Sequence, residues 1–189
     1  MDPAQIEFLA EKESISILPN FTEDKLYLIS GEVGPFQPQV PVEVPLWLAV
    51  NLKQRQKCRI ITPDWMDVDV LKEKKAEELE GHLFSKPLHP HFLELSTIIL
   101  GMSSEVKDAD EVRTLIKDIW DVRAAKLRKS VNKMINHDGG GGKPLAHVEI
   151  NNITVLELNT IRGFFTASLD HLHNLRNHAE LCLNDPRYN

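Results

Sequence analysis

Residues 34–60, GPFQPQVPVEVPLWLAVNLKQRQKCRI, hold four prolines, an apolar helix start and four cations, with no acid after Glu43. Pro35, Pro38, Pro41 and Pro45 each fix φ and withhold a backbone donor, so the run before Trp47 is predicted to be an extended connector that rejects helix interiors and central strands. Pro45 suits the first turn of a helix. Leu48 and Leu52 then recur on one face, while Lys53, Arg55, Lys57 and Arg59 are predicted to crowd the helix end, where cations complement exposed carbonyls. The segment therefore reads as a stiff, basic, solvent-facing edge.

Upstream, Ile6, Phe8 and Leu9 suggest a short helix, and residues 14–18 alternate polar and apolar before Pro19-Asn20, as a strand and turn do. A second strand is predicted over 26–30, stopped by Gly31, and a third over 58–62, the three making one small sheet. The character changes at Thr62-Pro63, a candidate N-cap and first-turn proline, and is helical from there. The fold expected is α+β, mostly α: a small β-rich domain with a basic helix over 1–62, then a helical-bundle domain over 63–189.

Within the second part, residues 64–80 carry seven acids against three lysines and are predicted to form one helix with a solvated acidic face. A helix follows over 91–102. A long one opens at Asp108-Ala109-Asp110-Glu111 and carries Val112, Leu115, Ile116, Ile119, Trp120, Leu127, Val131, Met134 and Ile135. Another opens at Thr154-Val155-Leu156-Glu157, the spelling of a capping box, and presents Leu158, Phe165, Leu169, Leu172 and Leu175. Helices this long in so small a domain rarely find full cover in their own chain, so their apolar stripes suggest packing across subunit interfaces as well. The glycine-rich segment 138–144 reads as an inter-helix linker.

The chain has 189 residues, 42% hydrophobic and 26% charged, enough for a core and against wholesale disorder. A formal charge of -6 makes a general nucleic-acid coat improbable while leaving room for a local basic patch. Two cysteines, Cys58 and Cys182, without paired spacing suggest reduced thiols. The first residues carry acids early and spell no signal peptide, and no run approaches the ~20 apolar residues of a membrane span.

Several patterns resemble chemistry without completing it. The tract Gly139–Gly142 before Lys143 lacks the Ser/Thr and the strand-to-helix setting of a phosphate loop. His82, His89 and His91, or His171, His173 and His178, lack ligand spacing, so no metal and no cofactor is expected. Ser168, Asp170 and His171 lie on one helix and diverge, whereas a triad converges from separate elements. Residues 101–105, GMSSE, lack the second glycine of a nucleophile elbow. No enzymatic activity is expected. Lys53, Arg55, Lys57 and Arg59 could meet nucleic-acid phosphates or an acidic protein; Trp47, Trp65 and Trp120 suit core or junction packing as well as interface anchoring.

The segments MDPAQIEFLAEKE, ISILPNF, residues 34–60, PDWMDVD, RTLIKDIWDVRAAKLR and LELNTIR, in this order over residues 1–175, resemble the GINS family of eukaryotic DNA replication subunits. The resemblance implies a nuclear, non-catalytic scaffold that assembles with three related GINS subunits, and through them with the MCM helicase ring and the Cdc-forty-five protein. It places a small β-rich domain before a helical domain, and gives DNA at most an indirect or weak contact. It implies that helices over 113–128 and 153–177 build the tetramer core, with Arg113, Trp120 and Phe165 among the contact residues. Arg123, Lys126, Leu127 and Arg128 match a helical signature of the family, whose Arg and Lys groups are implied to hydrogen-bond to neighbouring subunits. The alternative is a DNA-binding accessory module contacting phosphates through Lys53, Arg55, Lys57 and Arg59.

Overall fold

A computed structural model describes residues 2–29, 31–81, 83–102, 106–136 and 151–183. Helix α1 (Pro3–Ala10) starts on Asp2, whose backbone N–H meets the Gln5 side chain, and buries Ile6 and Ala10. Strand β1 (Ser14–Pro19) alternates as read, with Ile15 and Ile17 inward. It is the centre of a three-stranded antiparallel sheet, flanked by β4 (Val42–Pro45) and β5 (Cys58–Ile60), with Ile17 opposite both Val42 and Ile60.

Two expectations about this region need correction. Residues 26–30 are not a strand of that sheet. β2 (Leu26–Leu28) turns back as β3 (Gly31–Val33), and the two form a separate antiparallel pair. Gly31 opens the return strand at φ 142°, a backbone that side chains of L-residues rarely adopt. The proline run, expected to be a connector throughout, contains β4. Pro41 and Pro45 bracket three residues that keep their N–H groups, and the strand lies at the sheet edge, where proline is tolerated.

Helix α2 (Leu46–Gln54) begins after Pro45, which is its N-cap and not its first helical residue. Its end is a Schellman turn: Gln56 N–H bonds the Lys53 carbonyl at 2.8 Å and Lys57 N–H bonds the Leu52 carbonyl at 2.9 Å, with Gln56 at φ 57°. The four cations therefore do not share a helix end. Lys53 is in the last turn, Arg55 is the C-cap, Lys57 leaves the turn and Arg59 lies on β5.

After Ile60 the chain is helical. Asp64–Met66 is a 3-10 turn capped by Pro63, and Asp67 then caps α3 (Val68–Glu80), so the single acidic helix expected from residue 64 is interrupted by an extended residue at ψ 142°. Helices α4 (Phe92–Met102), α5 (Ala109–Asn136) and α6 (Val155–Leu183) follow. α5 packs against α3, α4 and α6, while α1 touches α4 and α6. Val112, Leu115, Ile116, Ile119 and Leu127 are buried along α5 as the periodicity requires. The side chains of Val131, Met134, Ile135, Leu169, Leu172 and Leu175, residues 138–144 and the candidate residues His82, His178 and Cys182 lie outside what is described. One core runs from Ile15, Ile17 and Val44 through Leu46 and Leu71 to Ile99 and Ile116. Each such side chain contributes about 1.5–3 kcal/mol on burial.

Candidate interaction surfaces

The most constrained polar residues lie where α3, α5 and α6 meet. Arg123, 1% exposed, projects from α5 and donates twice to Glu157, from Nε at 2.6 Å and from Nη2 at 2.9 Å. Its Nη1 bonds Glu78 on α3 and the Ser85 carbonyl at 3.1 Å, and Nη2 also reaches the Asn152 carbonyl at 2.6 Å. Lys126, one turn on, donates to the other Glu78 oxygen at 2.6 Å and to the Leu83 carbonyl at 3.2 Å. Burial alone would push the Glu78 carboxyl up, but the bonds from Lys126, Ser85 and Arg123 together hold it below its ordinary value. Burial likewise opposes the Arg123 charge, and Glu157 and Glu78 overcome it. Two cations meet two carboxylates, so the cluster closes on itself.

Glu157 also completes the expected capping box: Thr154 N–H donates to Glu157 Oε2 at 2.8 Å and Glu157 N–H to Thr154 Oγ1 at 3.3 Å. One side chain thus starts α6 and ties it to α5. Arg123 and Lys126, implied by the family signature to bond neighbouring subunits, have bonds within the chain to Glu78 and Glu157, which are buried beside them. Sequence reasoning placed Glu78 on a solvated face and missed it. The capping box marked Glu157 as a helix-start residue but carried no signal of its buried pairing with Arg123.

The remaining candidates are scattered. Leu127 is buried in the core, Arg128 is exposed, and Arg113 pairs with exposed Asp110 at 3.0 Å. Trp120 is half-buried against the chain's own core. Trp65 stacks on His89, ring centroids 6.2 Å apart, and burial pushes the His89 imidazole below its ordinary value. His89 Nδ1 accepts the His91 N–H at 3.1 Å, and the His91 ring faces buried Glu94 at 3.4 Å. Trp47 lines a groove of about 930 Å³ beside β3 and β4. Phe165 is half-buried, and its neighbour Phe164 is 62% exposed with Leu158 at 52%.

The cations of the basic edge diverge. Lys53 and Arg59 line one depression of about 660 Å³ with Asn20 and Met102. Lys57 instead sits 5.6 Å above the Phe21 ring, itself stacked on Phe36, and Arg55 is exposed at the helix end.

A small sheet region with a charged edge, followed by helices of which the long α6 leaves Leu158 and Phe164 in solvent, has the pattern of a chain that meets other proteins. Its N-terminal part, residues 2–61, matches the family model described as the PSF2 N-terminal domain, and residues 65–176 match the GINS complex protein helical bundle domain. The chain is 48% identical over 177 residues to the Xenopus laevis DNA replication complex GINS protein PSF2, covering 93% of this chain and 92% of that one. It is 46% identical to the Homo sapiens protein of that name over 181 residues, 95% of each. A Drosophila melanogaster relative described as a probable GINS protein PSF2 is 42% identical over 173 residues, 91% of this chain and 82% of its own. The chain belongs to the PSF2 family of GINS proteins.

Proposed function

We propose that this chain is a non-catalytic scaffold in DNA replication, the PSF2-type subunit of a GINS heterotetramer in the nucleus. In this reading residues 1–62 and 63–189 act as two units. The helices contact three related subunits, and the basic edge docks the MCM ring or its Cdc-forty-five partner. The observation that carries it is α6, a helix of 29 residues that puts Phe164 and Leu158 into water. An aromatic and a leucine exposed on the same long helix gain stability when another surface covers them. ATP hydrolysis belongs to the partners. Protein docking is favoured over phosphate contact because Lys57 is engaged with the Phe21 ring, and only Lys53 and Arg59 of the four cations line one depression.

Co-expression with three other GINS subunits is expected to give one particle of equal stoichiometry by native mass measurement, and the chain alone to aggregate. A well-behaved monomer would count against the proposal. Replacing Lys53 and Arg55 by Glu is expected to weaken binding to the MCM ring or the Cdc-forty-five protein while leaving DNA affinity and its salt slope unchanged. A flattened salt slope with intact protein docking would favour the DNA-binding alternative.

A further inference from the structure

The junction between the sheet and the helices carries a feature that the scaffold role does not use. Thr62-Pro63 is the only Ser-Pro or Thr-Pro dipeptide in the sequence. Thr62 is exposed, in a stretch without regular structure between β5 and the 3-10 turn, and Pro63 is extended at φ -60° and ψ 146°. No hydrogen bond engages the Thr62 hydroxyl among the described residues. A kinase cleft that offers no acceptor to the amide after the target residue selects proline there, since only proline has no N–H to orphan. The residue before a proline is held extended, the form in which a peptide crosses such a cleft.

We propose that Thr62 is a phosphoacceptor for a proline-directed protein kinase. In the reaction the bond from the γ-phosphorus of ATP to its bridging oxygen breaks and a bond to Thr62 Oγ forms. The hydroxyl proton passes to the kinase's base and ADP leaves.

The surroundings give the phosphate a consequence. Thr62 lines a depression of about 500 Å³ with Asp64, Asp67 and Asp69 on one side and Lys107 and Asp108 on the other. Lys72, on α3, is engaged by Glu111 at 2.7 Å and also feels Asp69 and Asp108. A phosphothreonine brings about -1.5 to -2 charges at neutral pH. Placed, among the described residues, beside four aspartates with Lys107 as the one cation lining the depression, it repels more than it attracts. Phosphorylation therefore loosens the start of α3 from the turn before α5.

The test uses the full chain in its co-expressed complex, treated with ATP and a purified proline-directed kinase and read by intact mass and peptide mapping. One phosphoryl group on Thr62 is expected, absent in Thr62→Val and in Pro63→Ala. A synthetic peptide spanning residues 57–69 serves as the reference substrate. Failure to label the peptide, labelling of the peptide but not the complex, or labelling unchanged in Thr62→Val would each overturn the proposal. For the consequence, Thr62→Glu is expected to melt lower than Thr62→Gln by a gap that shrinks as salt is added. Equal melting at low salt would overturn it. The scaffold reading is tested separately, by the stoichiometry of the untreated complex.

Discussion

Removing the Arg123 guanidinium would leave Glu157, 2% exposed, without its two charged bonds and Glu78, 0% exposed, with only Lys126 and Ser85. Breaking a buried pair from one side costs about 3–5 kcal/mol, because the orphaned charge stays desolvated. Arg123→Ala is expected to lose that much in denaturant unfolding. Arg123→Lys should recover only part of it, since an ammonium cannot repeat the two parallel bonds to Glu157. The pH dependence follows from Glu78. Its folded-state pKa is held below the ordinary value of 4.5, so the folded chain binds fewer protons than the unfolded one. The resulting stability is fully present above that value and is lost as pH falls through the lower, folded value. The stability gap between the natural chain and Glu78→Gln should thus be widest near neutral pH and close below about pH 4.5, in urea titrations at stepped pH. A gap constant with pH would contradict the sign. None of this was legible from residues 64–80, where seven acids look alike in the sequence. Which carboxylate turns inward depends on where α5 lies, and only tertiary packing decides that.

Helix ends show what local sequence does and does not specify. The Thr154-to-Glu157 box was readable because both partners are three residues apart and the bonds are local. The end of α2 was not, because a Schellman turn usually advertises itself by a glycine and here the left-handed position holds Gln56. A side chain at φ 57° is strained by about 1–2 kcal/mol, of which glycine would return part after its own entropy cost. Gln56→Gly is therefore expected to raise stability by up to about 1 kcal/mol and to leave docking through Lys53 and Arg55 unchanged. A drop in melting temperature would mean that the Gln56 side chain contributes more than its backbone costs. The hairpin of β2 and β3 was misread for a related reason. Leu26 through Ile29 carry apolar residues dense enough for a buried strand, yet Tyr27 is 77% exposed and Ile29 wholly so. Alternation shows that a strand can form, and not which sheet receives it.

At the scale of the molecule the sheet and the bundle share one core, through Leu46, Cys58 and Met66 on one side and Leu71, Ile99 and Val112 on the other. The change of character at Thr62-Pro63 was visible because it is a change of period; the continuity across it was not, because contacts between distant segments leave no period. The same distinction sorts the aromatic residues proposed as contacts. Trp120 packs on the chain's own core, whereas Phe164 is 62% exposed on α6. Trp120→Ala should act mainly on the chain, costing about 3–5 kcal/mol if its whole ring area is lost and less for a half-buried site. Its complex should assemble normally and melt lower. Phe164→Glu removes no core contact and puts a charge where a covering surface is expected, so it should weaken assembly while local stability holds. Gel filtration of co-expressed subunits, with melting of whatever complex forms, separates the two. The reverse pattern, assembly lost with Trp120→Ala and intact with Phe164→Glu, would move the subunit contact from α6 to α5.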